Sequence, residues 1–163
     1  MEHWAMKLQN GGTQLGVTSQ SATMWGGKLY VCSKDGASLT VLDPNSLEIE
    51  KQIAVSIASG RQAYEFIGLN DDYGIVTTAA YLYRVDLRTM AVGGLDFYYN
   101  GAGSGVVYAD HLLIGPKSGK VIKIPVADIA GAALPSWSYT TTTLDITPGG
   151  GCRFAKGADG NLY

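Results

Sequence analysis

A two-strand unit recurs three times along this chain, and the beginning of a fourth copy stands at residues 158–163. The second strand of the unit reads SLTVLDPNSLEI from Ser38, YLYRVDLRTMAV from Tyr81 and KVIKIPVADIAG from Lys120, which gives spacings of 43 and 39 residues. The strand before it reads GGKLYVCS from Gly26, DDYGIVTT from Asp71 and ADHLLIGP from Ala109, and ADGNLY from Ala158 opens the fourth copy. A period of roughly 40–45 residues built only of short strands predicts a β-propeller, because one such unit cannot bury both its faces alone and must stack on its neighbours.

Each repeat divides into four strands, A to D from the axis outward. The first places A at Ser19–Trp25, B at Lys28–Ser33, C at Ser38–Leu42 and D at Leu47–Ile53. The second places A at Ala63–Leu69, B at Tyr73–Thr78, C at Tyr81–Asp86 and D at Met90–Asp96. The third has A at Ser104–Tyr108, B at His111–Gly115, C at Lys120–Pro125 and D within Ser136–Ile146, after a longer C–D connection with a helical turn. A fourth A strand falls at Gly151–Lys156, and residues 2–9 read as the outer strand of a preceding blade. The expectation is one all-β domain over 1–163, a β-propeller of four-stranded antiparallel blades. It has about three full blades, at 19–55, 62–97 and 103–146, with partial blades at both ends, the last at 151–163.

Alternation and turn chemistry set these boundaries. Leu39, Val41 and Asp43 share one face and Thr40 and Leu42 the other, as in a strand packed on both sides. The charged run Glu48–Lys51 suits an outer edge, where charge deters further pairing. Asp35–Gly36, Ser118–Gly119 and Asp159–Gly160 offer the positive φ that tight hairpins need. Asp43 before Pro44 predicts a type I turn, Asp86 takes the same place in the second repeat, and Pro125 replaces it in the third.

Composition narrows the partners. A formal charge of −2, with twelve Lys and Arg scattered along the chain, supplies no clustered basic field for nucleic acid or an anionic membrane. The sequence contains no run of 18 apolar residues, and MEHWAMKLQN lacks the basic and apolar regions of a signal peptide. An exported protein would carry its signal outside these residues. Cys32 lies in an apolar strand and reads as a small buried hydrophobe.

The units VLDPNSLEI and YRVDLRTMAV resemble the "V-D-x-x-T" segment of YVTN-type propellers, a hydrophobic strand ending in Asp before a short turn. The stretch from Met24 to Ile49, followed by GIVTTAAYLYRVDLRTM, is similar to surface-layer-like propeller proteins of gut Bacteroidetes. WD and kelch repeats fit less well: no Trp–Asp pair closes a C strand, and Gly26–Gly27 precedes the B strand. The resemblance implies a protein of the cell surface or periplasm, one of a group in which some members capture cobalamin for a partner transporter.

Propellers bind at the end formed by D–A and B–C loops. Here those loops are 56–62, 98–105, 147–153, 33–38 and 116–119, and they carry Arg61, Tyr64, Tyr98, Tyr99, Asn100 and Arg153. Aromatic rings with a few polar groups suit a planar or sugar-like ligand. The expectation is a non-catalytic binding module for a small molecule, with a corrinoid as one candidate, or for a surface protein, with no cofactor and no metal. Asp110–His111 and Asn70–Asp71–Asp72 read as A–B turns, and Gly149–Gly151 lacks the Lys-Ser/Thr of a phosphate loop. The enzyme alternative is a lactonase-like hydrolase, for which Arg61, Glu65 and Arg153 would stand near the channel without a matching set of carboxylates. Partial blades at both ends imply a fragment of a longer chain, or a homodimer that completes a ring of roughly seven or eight blades.

Overall fold

The computed structural model describes residues 19–33, 38–55, 63–78, 81–92, 97–98, 104–115, 120–131, 140–143, 154 and 156–163. Three antiparallel sheets follow one another along the chain. The first runs β1 (Ser19–Trp25), β2 (Lys28–Ser33), β3 (Ser38–Leu42) and β4 (Ile49–Ala54), in that order. The second comprises β5 (Ala63–Gly68), β6 (Tyr73–Thr78), β7 (Tyr81–Asp86) and β8 (Ala91–Val92), with β9 (Phe97–Tyr98) also paired to β7. The third runs β10 (Gly105–Tyr108), β11 (His111–Ile114), β12 (Lys120–Pro125) and β13 (Thr140–Thr143), with α1 (Val126–Gly131) leaving β12. These are propeller blades, and the innermost strands β1, β5 and β10 stand side by side in that order.

Strand alternation gives each blade a leading face toward the next blade and a trailing face toward the one before. Tyr30, Cys32, Leu39 and Val41 lead from blade 1 onto Ala63, Phe66, Val76, Tyr83 and Val85 of blade 2. The Tyr30 and Phe66 rings stack there, with centroids 4.1 Å apart. Ile67, Leu69, Ile75 and Leu82 lead from blade 2 onto Leu112, Ile114, Ile122 and Ile124 of blade 3, where Ile129 of α1 joins them. A middle strand is thus apolar on both sides, and all five residues of β3 are buried. The outer strand β4 instead exposes Glu50, Lys51 and Gln52, which keeps the edge in water.

Two glycines let blades approach closely. A Cβ at Gly68 would stand 2.0 Å from Cδ2 of Trp25 in the preceding blade. At Gly105 it would stand 2.5 Å from Cδ1 of Ile67. Cations tie the blades further out. Arg84 donates from Nη1 to the carbonyl of Ile129 at 2.9 Å, and Lys51 donates from Nζ to that of Thr89 at 3.1 Å. The Arg84 guanidinium also lies 5.0 Å from the centre of the Tyr73 ring, with that of Arg88 5.5 Å away.

The C–D turns show one repeated device. Oδ1 of Asp43 accepts the N–H groups of Asn45 and Ser46 at 2.8 and 2.9 Å. Oδ1 of Asp86 accepts those of Arg88 and Thr89 at 2.9 and 3.0 Å. Four residues after each Asp the chain turns left-handed at a non-glycine, Leu47 with φ 59° and Met90 with φ 58°. The Asp43 turn therefore differs from a simple type I turn: Leu47 N–H reaches back to the Asp43 carbonyl at 2.8 Å. In the third repeat, where Pro125 has no acceptor side chain, the chain enters α1 instead.

In the second blade, β8 falls within the expected D strand at Met90–Asp96, and β9 lies just beyond it. There β8 pairs with Val85–Asp86 and β9 pairs with Tyr81–Leu82. Residues 93–96 lie outside the described residues, as do the glycine turns at Asp35–Gly36 and Ser118–Gly119. Gly160 does have the positive φ expected of it, at 79°. In the final segment a single bridge joins Lys156 to Leu162.

Candidate functional site

The two ends of the blade stack differ chemically. One end carries the A–B and C–D turns, where several polar groups bind one another. Asn70 Oδ1 accepts the N–H groups of Asp72 and Tyr73 at 2.9 and 2.8 Å. Arg88 donates to Asp86 at 3.2 Å and lies 3.5 Å from Asp72. His111 Nδ1–H donates to the carbonyl of Ala109 at 2.6 Å, across a hairpin whose Ala109 and Asp110 both have positive φ. The N–H of Thr89 first and then the Arg88 side chain hold the Asp86 carboxyl down at about 2. The N–H groups of Ser46 and Asn45 likewise lower that of Asp43. These carboxylates lock the C–D turns.

The other end carries the D–A and B–C connections. Two B–C corners close on the same hydroxyl clip. Ser33 Oγ accepts the N–H of Ser38 at 3.1 Å and lies 2.8 Å from Ser38 Oγ. Thr78 Oγ1 accepts the N–H of Tyr81 at 3.1 Å and donates to the Tyr81 carbonyl. Ser33, Ser38 and Thr78 are all buried. The recurrence of a hydroxyl at the last residue of B is the sequence signal for this clip, which motif reasoning had missed. Tyr81 begins its C strand at this rim, its ring 6.3 Å from that of Tyr83.

Tyr64 stands at a β-bulge. The β5–β6 register skips between Ala63 and Glu65, and the β1–β2 register skips at the matching place between Ser19 and Ser21. A bulge frees one residue from the ladder and re-aims its side chain, and Tyr64 remains half-buried at this end. Glu65 faces blade 3, where Oε2 accepts the N–H of Gly105 at 3.0 Å. Directly across the sheet from it, the Thr77 hydroxyl is enclosed with no hydrogen-bond partner among the described residues.

Of the residues expected at this end, the structure places Tyr64 at the bulge and the Tyr98 backbone opposite Tyr81 in the outer strand, one step inside the sheet instead of in the loop. Arg61, Tyr99, Asn100 and Arg153 lie outside the described residues, as does the glycine run at 149–151. Cys32 is a free, fully buried thiol. Burial pushes it up to about 12, with the Ser21 hydroxyl working against that rise and the Glu65 charge adding to it. No group of three or more His, Cys, Asp or Glu side chains suited to a metal ion occurs among the described residues. Nor is any helix among them long and apolar enough to cross a membrane.

Solved structures similar to this chain share its fold at low identity. BamB from Moraxella catarrhalis is 16% identical with a TM-score of 0.55, the match covering 94% of this chain and 45% of that one. The WD40 domain of Pan2 from Neurospora crassa is 8% identical with a TM-score of 0.55, covering 80% and 39%. PorZ, a surface component of the type-IX secretion system of Porphyromonas gingivalis, is 14% identical with a TM-score of 0.52, covering 70% and 16%. The chain thus spans less than half the length of each of these propeller proteins. A comparison with curated proteins gave no match. A family model matches all of residues 1–163, and the chain belongs to that family, described as "Domain of unknown function (DUF5074)".

Proposed function

We propose that this chain is an exported, non-catalytic β-propeller module that holds its ligand at the D–A and B–C end of the blades. The observation that carries the reading is the contrast between the two ends. The A–B and C–D end is closed by Asx turns and ion pairs. The opposite end sets Tyr64 on a bulge and Tyr81 at a rim, with hydroxyl clips at the Ser33–Ser38 and Thr78–Tyr81 corners. Arg61, Tyr98, Tyr99, Asn100 and Arg153 complete the proposed site by their position in the sequence. The ligand class is a planar or sugar-like small molecule, with a corrinoid as the first candidate, or else the surface of a protein partner. The likeness to PorZ, a surface component, supports export.

The test is a thermal-shift screen of the whole chain against cobalamin, other corrinoids, glycans and common metabolites. A ligand present at a hundred times its dissociation constant adds about 2.7 kcal/mol, roughly 5–10 °C in Tm for a domain of this size. The expected result is a saturable shift that Tyr64→Ala and Arg61→Ala abolish. A panel that leaves Tm unchanged, together with no saturable binding to the surface proteins of the same cell, overturns the reading.

A further inference from the structure

One cross-strand pair between the blades carries a charge that no other blade repeats. The A–B hairpins close at Trp25–Lys28, Leu69–Tyr73 and Tyr108–His111. Four residues inward on each side, the matching pairs are Ser21–Cys32, Glu65–Thr77 and Ser104–Gly115. Blades 1 and 3 set small neutral residues at this level, and blade 2 alone sets a carboxylate. Devices that serve blade architecture recur here, as the Asx turns and hydroxyl clips do. Glu65 does not recur.

Glu65 and Thr77 stand directly opposite each other in the ladder, so their side chains leave one face of the sheet with Cβ atoms about 4.5–5.5 Å apart. Oε2 of Glu65 accepts the N–H of Gly105 at 3.0 Å, and no cation pairs with the carboxylate among the described residues. Thr77 is fully buried, and its hydroxyl has no hydrogen-bond partner among the described residues. A half-buried charge without a counter-ion is costly, and so is an enclosed hydroxyl without a partner. One bound group relieves both. Holding a single backbone N–H does not require a carboxylate, because a neutral amide oxygen accepts it as well.

We infer that Glu65 and Thr77 form a site for a primary ammonium group, carried by a planar or sugar-like small molecule. An ammonium has three N–H donors and no acceptor, which complements the remaining lone pairs of the carboxylate and the Thr77 oxygen. A hard divalent cation such as calcium takes about six to eight oxygen ligands, far more than this pair supplies. Glu65 is half-buried and Thr77 lies deeper, so the group enters past the Glu65 side chain, the flexible member of the pair. Tyr64, the preceding residue, is released by the bulge at the same end of the blade and suits the carbon frame of such a ligand. The inference rests on the binding-module reading and names the head group of its ligand.

The experiment is an amide NMR titration of the isotope-labelled full chain with methylammonium chloride, run against sodium chloride and tetramethylammonium chloride at equal concentrations. Two such hydrogen bonds give a dissociation constant on the order of millimolar, so a titration to about 100 mM reaches saturation. The expected result is saturable movement of the Gly105 and Thr77 amide signals with methylammonium alone. Glu65→Gln keeps an acceptor for the Gly105 N–H but weakens binding at least about tenfold, and Thr77→Val weakens it about fivefold. Urea unfolding is the folding control, and Thr77→Val carries the test independently of the Gly105 contact. Absence of saturable movement overturns the inference, as do equal movement with either control salt and binding that either folded variant leaves undiminished. The thermal-shift panel reports the binding-module reading separately: a panel ligand that stabilises Glu65→Gln as much as the parent leaves the module standing and overturns this site.

Discussion

Gly68→Ala places a methyl group where Trp25 already is. The new Cβ would lie 2.0, 2.2 and 2.5 Å from Cδ2, Cε2 and Cγ of the indole, well inside van der Waals contact. These are ring atoms near the root of the side chain, and the ring is tethered: its Nε1–H donates to the Asn70 carbonyl at 3.3 Å. The ring must lift or the two inner strands must part. Overpacking of this kind costs about 1–3 kcal/mol, and losing the tether adds up to about 1 kcal/mol. Alanine's lower unfolded-state entropy returns up to about 1 kcal/mol. The net loss is then about 1–3 kcal/mol, or roughly 3–10 °C in Tm. Urea unfolding followed by circular dichroism measures it on the parent, Gly68→Ala, Trp25→Ala and the double variant. With the indole removed there is nothing to strike, so Gly68→Ala becomes neutral or slightly stabilising in the Trp25→Ala background. An equal cost in both backgrounds would refute the wedge, as would a cost below about 0.5 kcal/mol in the parent.

Other outcomes follow from single groups. Thr77→Val removes an enclosed hydroxyl with no partner among the described residues, so it leaves stability unchanged or raises it by about 1 kcal/mol; a loss above about 1 kcal/mol in urea unfolding contradicts that. The Asp86 carboxyl titrates at about 2 when folded against 3.8 for the ordinary group, so its charge contributes stability above about pH 4 and that contribution fades as pH falls toward 2. Asp86→Asn, which keeps the turn acceptor, is therefore less stable than the parent at neutral pH and equal to it near pH 2; a gap that persists at low pH argues against the assignment. Cys32, buried and raised to about 12, resists alkylation at pH 8 in the folded chain and reacts once urea unfolds it; peptide mapping that finds rapid native labelling at Cys32 overturns its burial.

Local rules made much of this fold legible. β1, β2, β3, β6, β7 and β12 run between the residues at which alternation and turn residues placed their ends. The helical turn after Pro125 also appears, as α1. The outer-strand pairing of β9 in blade 2 was not legible, because β8 and β9 have only two residues each, too few to show an alternation. Of the candidate site, the sequence supplied the residue types and the end of the blade they belong to. It gave no sign that Tyr64 occupies a bulge, since a bulge is a mismatch between two strands and neither strand encodes it alone.

Period, alternation and turn chemistry are properties of neighbours in the chain, so the amino-acid order by itself determined the repeat, the strands and which residues share a face. Tertiary structure decided what each face meets. Gly68 looks like any strand glycine until Trp25 arrives over it from 43 residues away, and Glu65 looks like a solvated charge until Gly105 donates to it. Those pairings depend on the twist and stagger between blades, which arise from summed packing across both faces and are written in no single segment.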